Sequence, residues 1–265
     1  MSEKSSSKHR LKAFAAKAKH PKEERQYHWR MLILLPAWVT AAYVASNIIL
    51  IGVIALLNVL HVPLESFLRP AILQTAIATL IYAMTIAIVI GVPYLIRRKL
   101  TTNWTALGLD RLVSWTDIGL APVTFLVYTL TVAMVLAAVV ALVPGFPVDQ
   151  TQDVGFKAIG SQTDNLLAFA TLVVLAPLAE ETLFRGYLYG KLKTYVPAIV
   201  AALATSLLFG IAHWQWNVSI DVFVLSLFLC GLRSLTGSIW AGVLVHMIKN
   251  GIAYYILFVS PFFGG

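Results

Sequence analysis

Three long intervals without a charged residue dominate the first half of this sequence. They run from 31 to 64, from 70 to 96 and from 118 to 148. Each exceeds the roughly 20 residues that an α-helix needs to cross a bilayer, and none alternates with period two as a membrane-spanning strand does. With 59% hydrophobic and 12% charged residues, the chain is predicted to be all-α, a polytopic membrane helix bundle rather than a soluble domain.

Shorter apolar intervals, each bounded or interrupted by a polar residue, fill the second half of the chain. We interpret the first three spans as a packing scaffold and the later ones as the half that contains the candidate reactive groups. Residues 1–30 are expected to form a basic arm and residues 31–265 a membrane-embedded domain. About eight helices are predicted, at 31–60, 71–96, 117–143, 165–193, 197–213, 219–232, 236–249 and 250–262.

Basic residues predict the orientation of the bundle. The net charge is +8, and nine of the 20 Lys and Arg residues lie in the first 30 positions. With eight crossings, most of the others fall on the same side as this arm, so the positive-inside rule predicts a cell-membrane protein with both termini in the cytoplasm. The arm has no nucleic-acid recognition motif, and its expected partner is anionic membrane lipid.

The stretch LAPLAEETLFRGYLYG, residues 175–190, places Glu180, Glu181 and Arg185 in an otherwise apolar helix. A charged residue in mid-membrane costs at least about 2.5 kcal/mol and suggests a functional site. Glu181 and Arg185 stand at i and i+4, where they can form an ion pair. Glu180 points about 100° away and therefore needs a proton, a metal or a partner from another helix.

Two later segments offer such partners. FGIAH ends at His213, and HMIKN presents His246 and Asn250 one turn apart. Counting from the predicted turns near 195 and 235 places these three and Glu180 at similar depths, about 16–27 Å from one end of the bundle. Pro177 should weaken the helix just before Glu180.

Hydrolysis by activated water is the chemistry that such a layer favours. A desolvated carboxylate such as Glu180 is a candidate general base, imidazoles can hold a metal or a water molecule, and the Asn250 amide could stabilise an oxyanion. No serine or cysteine nucleophile motif is present. Taken singly, each of these residues is as easily explained by packing or by interhelical hydrogen bonding. The prediction of a hydrolytic site depends on their occurrence together at one depth.

The three segments resemble the EExxxR, FxxxH and HxxxN motifs of the CPBP intramembrane proteases. This family includes the type II CAAX prenyl endopeptidases and the Abi proteins of bacteriocin processing and self-immunity. The similarity spans about residues 100–262, and it implies an eight-helix, glutamate-dependent endopeptidase that acts on membrane-associated or prenylated and other lipidated peptides. The matching segments are EETLFR, FGIAH and HMIKN.

The resemblance also implies roles for individual residues. Glu180 would be the base that activates water, with His213 beside it. His246 and Asn250 would form the oxyanion hole.

The remaining motif residues and the cofactor follow from the same resemblance. Glu181 with Arg185 would be a structural ion pair. Zinc is a possible cofactor, with Glu180, His213 and His246 as possible ligands. A non-catalytic immunity or scaffold protein, or a proton- or metal-coupled transporter, would also use buried Glu and His residues.

Overall fold

The computed structural model describes residues 27–97, 102–148, 150, 156 and 161–260. The predictions for the basic arm before residue 27 lie outside these residues. Across the described ranges all regular secondary structure is helical, as predicted, and two short helices, Leu64–Phe67 and Trp104–Leu107, accompany the long ones. The long helices are α1 (Met31–Val59), α2 (Pro70–Arg97), α3 (Trp115–Leu142), α4 (Gln162–Tyr195), α5 (Ala198–Ile211), α6 (Trp216–Thr236) and α7 (Trp240–Val259).

Six of these helices, all except α5, are long and apolar enough to cross a membrane. Helix α5 has 14 residues, so it rises only about 21 Å, short of a hydrocarbon core of roughly 30 Å. The structure therefore confirms a polytopic helical bundle in which α5 is shorter than a full membrane span.

The bundle has two distinguishable ends. At one, the backbone N–H of His28 donates to the carbonyl of Tyr195 at 2.9 Å. We call this the basic end. At the other, the distal end, Arg69 Nη1 lies 3.1 Å from Asp164 Oδ1, and the hydroxyl of Tyr254 donates to the carbonyl of Asn165 at 2.9 Å.

The predicted break between residues 249 and 250 is wrong. Helix α7 continues from Trp240 through Asn250 to Val259, with its last turns in π-helical form. The charge at Lys249, which ends the apolar interval in the sequence, is accommodated within the bundle because Lys249 pairs with Asp221 of α6. The prediction that both termini lie in the cytoplasm depended on an eighth crossing and stays a prediction. Among the described residues, Tyr254 lies at the distal end and His28 at the basic end.

The densest packing lies in the basic half of the bundle. There, Leu183, Leu188 and Leu192 of α4 are buried against Val39 of α1 and Val89 of α2. Because lipid tails are as apolar as these side chains, close van der Waals packing rather than exclusion of water holds such helices together. The core that includes Val173 and Tyr254, towards the distal end, has fewer buried members.

A short segment before α3 covers the basic end. A Cβ on Gly186 would lie 2.9 Å from the carbonyl oxygen of Leu107, and one on Gly190 would lie 3.1 Å from that of Ala106. The two glycines therefore let the short helix Trp104–Leu107 rest directly on α4. Arg233 of α6 fastens it, because Nη2 donates to the Ala106 carbonyl at 2.9 Å.

Candidate active site

Helix α4 changes its hydrogen-bonding register on both sides of the two glutamates. A π-helical segment, Ala170–Leu175, precedes the α-helical turn Ala176–Glu181, and a second one, Thr182–Tyr189, follows it. Each π-helical turn holds an extra residue and redirects the side chains beyond it, and such turns are frequent at functional sites.

Pro177 and Asn250 share one function in this helix. In the π-helical register the carbonyl of Leu172 would accept a hydrogen bond from the N–H of residue 177, which a proline lacks. Asn250 Nδ2 of α7 donates to this carbonyl at 2.9 Å instead. Pro177 therefore weakens the helix as predicted, and an amide from a neighbouring helix satisfies the carbonyl.

The contact predicted between Glu181 and Arg185 is present and fully buried. Arg185 Nη1 lies 2.7 Å from Glu181 Oε1, and neither side chain is exposed. The guanidinium also covers the ring of Phe209, with its Cζ atom 4.4 Å from the ring centroid. Gly242 of α7 makes room for the carboxylate, since a Cβ there would lie 3.0 Å from Glu181 Oε2.

His246 links the two glutamates. Its Nδ1 lies 3.1 Å from Glu181 Oε1 and its Nε2 lies 3.8 Å from Glu180 Oε2. The sequence predicted that Glu180 and Glu181 act separately because they point in different directions. They do diverge, but one imidazole, only 4% exposed, touches both carboxylates.

Tyr82 is a site residue that the sequence analysis missed. Its hydroxyl donates to Glu180 Oε1 at 2.5 Å. Tyr82 belongs to α2, so one of the three spans interpreted as a packing scaffold also contacts Glu180. The sequence gives only a weak indication of this role, because Tyr82 is a single tyrosine near the middle of the apolar stretch AILQTAIATLIYAMTIAIVI.

Phe209 and His213 form one unit at the end of α5. His213 Nδ1 lies 2.8 Å from the Phe209 carbonyl oxygen. Because a carbonyl only accepts hydrogen bonds, Nδ1 carries the proton, and neutral His213 presents the lone pair of Nε2. The Phe209 ring packs edge-on against His213 and against His246, at centroid distances of 5.0 and 6.0 Å. This explains the FxxxH spacing physically.

Glu180 and His213 line a common cavity of about 250 Å³. The rest of its wall is mostly apolar and includes Tyr43, Tyr82 and Trp214. The structure thus joins Glu180, Glu181, Arg185 and His246 by direct contacts and places His213 on the same cavity. Neither Asn250 nor His246 lines it, and the Asn250 amide is turned towards Leu172.

The possible zinc ligands Glu180, His213 and His246 do not form a ready metal site. Within the described residues, no three His, Cys, Asp or Glu side chains are grouped so that they could hold a metal ion. His246 is occupied by the two carboxylates. Zinc binding stays a prediction.

A second polar cluster, also missed, crosses the bundle nearby. Lys249 Nζ of α7 lies 3.2 Å from Asp221 Oδ2 of α6, and the hydroxyl of Tyr128 of α3 donates to the other oxygen of Asp221. This pairing makes two charged residues tolerable in a membrane bundle.

Comparisons with known proteins agree with this geometry. Residues 162–252 match the model of the family described as type II CAAX prenyl endopeptidase Rce1-like. All the candidate residues named from the sequence fall within this segment.

Two relatives are also similar to the chain. An uncharacterised 24.3 kDa protein of Escherichia coli is 37% identical over 89 residues, which cover 32% of this chain and 41% of that protein. The membrane-embedded CAAX protease MroQ of Staphylococcus aureus (strain USA300) is 23% identical over 164 residues, which cover 57% of this chain and 60% of MroQ. The chain thus spans about half the length of the curated relatives it matches.

No solved structure matches the chain. The apolar helices and these relatives identify a multi-pass membrane protein. The family match extends over the segment that carries all three motifs, and it confirms the predicted resemblance to the CPBP family and its type II CAAX prenyl endopeptidases.

Proposed function

We propose that this protein is an intramembrane endopeptidase that hydrolyses peptide bonds of membrane-associated or lipidated peptides. One observation carries the proposal: Glu180 lines an otherwise largely apolar cavity together with His213, accepts a hydrogen bond from Tyr82, and lies 3.8 Å from His246 Nε2. A carboxylate in such a place is poorly solvated and well positioned, as a general base must be.

In the proposed reaction, Glu180 and His213 Nε2 hold a water molecule between them. The water oxygen attacks the carbonyl carbon of the scissile bond, and its proton passes to the Glu180 carboxylate. When the C–N bond of the tetrahedral intermediate breaks, Glu180 returns the proton to the leaving nitrogen, which yields a carboxylic acid and an amine. The water supplies every atom gained, so no covalent enzyme intermediate is needed.

The supporting residues have distinct roles in this proposal. Tyr82 fixes one oxygen of Glu180, and His246 approaches the other. Glu181 with Arg185 anchors His246 from behind. One of the two N–H groups of Asn250 donates to the Leu172 carbonyl, so the oxyanion-hole role expected of Asn250 would fall to the other N–H group.

We expect Tyr82→Phe to slow hydrolysis by about ten- to hundredfold, since a hydrogen bond to a charged group contributes about 1.5–3 kcal/mol. The change removes one oxygen atom and keeps the ring, so the thermal unfolding temperature should stay near that of the parent. Tyr43→Phe, at the same cavity, is the matched control and should retain parental activity. The hydrolysis rates of both variants are measured with a reconstituted peptide substrate. Equal rates for Tyr82→Phe and Tyr43→Phe would contradict the positioning of Glu180 by Tyr82.

The function itself is tested by comparing membrane peptides of cells that carry the parent or the Glu180→Gln variant. We expect fragments that appear only with the parent, and these identify the substrate and the cleaved bond. Zinc measured on the same two preparations tests the cofactor prediction separately. If both strains contain identical peptides and both proteins protect the cells equally against a bacteriocin, the protein is instead a non-catalytic immunity protein.

A further inference from the structure

The segment 103–115, which precedes and begins α3, is held to the bundle along one side. Leu107 is only 5% exposed and packs on Gly186 of α4. The indole N–H of Trp240, the first residue of α7, donates to the carbonyl of Arg111 at 2.7 Å. These contacts, together with the bond from α6 described above, fix which side of the segment faces the helices.

The other side of the same segment carries large apolar side chains that the protein leaves uncovered. Trp104 is 68% exposed, Leu112 is 83% exposed and Trp115 is 86% exposed. Single apolar residues on a surface need no explanation, but several of them in one short segment mark an interaction site, such as one for a membrane surface. The outer side of the segment therefore calls for a partner.

The place of the segment along α4 indicates what this partner is. Helix α4 has 34 residues and rises about 50 Å, so a centred α4 extends about 10 Å beyond the hydrocarbon core at each end. The segment packs on Gly186 and Gly190, nine and five residues before the helix ends at Tyr195. It therefore lies about 8–14 Å from that end, at the level of the membrane–water interface, where Trp side chains are enriched.

Continuity and charge favour the apolar part of that interface. Trp115 is the first residue of α3, a helix long and apolar enough to cross the membrane, so the lipid-facing surface of α3 continues directly into the segment. Asp110 and Arg111 are its only charged residues, and Arg111 Nη2 lies 2.9 Å from Asp117 Oδ1 of α3. The segment thus has no net positive charge with which to attract anionic lipid.

We propose that Trp104, Leu112 and Trp115 insert into the boundary between the head groups and the acyl chains of the leaflet at the basic end. This is the depth at which amphipathic segments bury their apolar faces. The segment then lies between the lipid and α4, and lipid contact on its outer side adds to the hydrogen bonds that hold the ends of α4, α6 and α7 together. The insertion does not depend on any catalytic activity.

Spin labels on single cysteines test the insertion. Cys230 is the only cysteine of the chain and is buried, so the labelled parent provides the blank. Leu112→Cys places a label on the outer side, and Asp110→Cys, an exposed position two residues earlier, is the matched control. The protein is reconstituted in liposomes of phosphatidylcholine with and without phosphatidylglycerol. The access of each label to oxygen, which concentrates in lipid, and to a nickel chelate, which stays in water, is then measured.

We expect the ratio of oxygen access to nickel access to be severalfold higher for Leu112→Cys than for Asp110→Cys, in both kinds of liposome. Equal ratios would overturn the proposal by showing that the outer side faces water. Low access of both reagents to Leu112→Cys would overturn it by showing that protein covers this side, and dipolar broadening of the spectrum would identify that protein as a second copy of the chain.

A difference seen only with phosphatidylglycerol would overturn the apolar basis of the insertion. The same ratios are expected when Glu180→Gln is combined with each cysteine variant, so a failure of the proposed hydrolysis leaves this result unaffected.

Discussion

Glu180→Gln is expected to slow peptide hydrolysis by about 10²–10⁴-fold, the contribution that a general base typically makes. Glutamine has the shape of glutamate and can still accept the hydrogen bond that Tyr82 donates to Oε1, but it cannot take a proton from water. The variant should therefore fold like the parent. Initial rates with a reconstituted membrane peptide, together with the thermal unfolding temperature, separate these two effects.

Asp110→Asn is the control for the loss of a negative charge. Asp110 is exposed, outside the cavity and near the basic end, so this change should leave the rate at the parental value. A Glu180→Gln variant that hydrolyses the substrate as fast as Asp110→Asn would rule out Glu180 as the base.

Arg185→Met should be the most destabilising of the substitutions considered, at about 3–5 kcal/mol, because removal of one partner leaves a buried charge uncompensated. The carboxylate of Glu181 has no exposed surface. Within the described part of the chain, His246 would be the one remaining ion-pair partner of this carboxylate. Unfolding in a denaturing detergent measures the loss. Arg69→Ala, which breaks a pair with an arginine that is 47% exposed, should cost no more than about 1 kcal/mol.

The double variant Glu181→Gln with Arg185→Met distinguishes pairing from packing. If charge compensation is what the pair provides, neutralising both partners should restore part of the stability that Arg185→Met loses. A double variant less stable than the single one would show that Arg185 stabilises the bundle through Phe209 instead, against which it packs.

Local geometry made parts of this site predictable from the sequence. The spacing of Glu181 and Arg185 places them on one face of any helix, and the structure shows this contact. The all-helical membrane fold followed from long intervals without charge. Both inferences depend on residues close together in the sequence, where helix geometry alone fixes the outcome.

The contacts between helices that are distant in the sequence could not be predicted, because they depend on tertiary packing. Tyr82 reaches Glu180 across 98 positions of sequence, and a tyrosine in an apolar span gives no sign of its partner. The sequence predicts a helix boundary after residue 249 because the charged Lys249 ends an apolar interval, whereas Lys249 pairs with Asp221 and the helix continues. The contact between Asn250 and the Leu172 carbonyl also depends on the register of α4. The π-helical segments could not be predicted, since a register change depends on neighbours that satisfy the altered backbone.

The hydrogen bond between Asn250 and Leu172 also bears on how the chain is assembled. During synthesis α4 enters the membrane before α7, so the carbonyl opposite Pro177 remains unsatisfied in lipid, at a cost of several kcal/mol. Helix α7, which follows α4 in the chain, supplies the missing donor, and the same helix brings His246 to the two glutamates. A nascent chain therefore satisfies this carbonyl and completes the candidate site in the same late step, when α7 packs against α4.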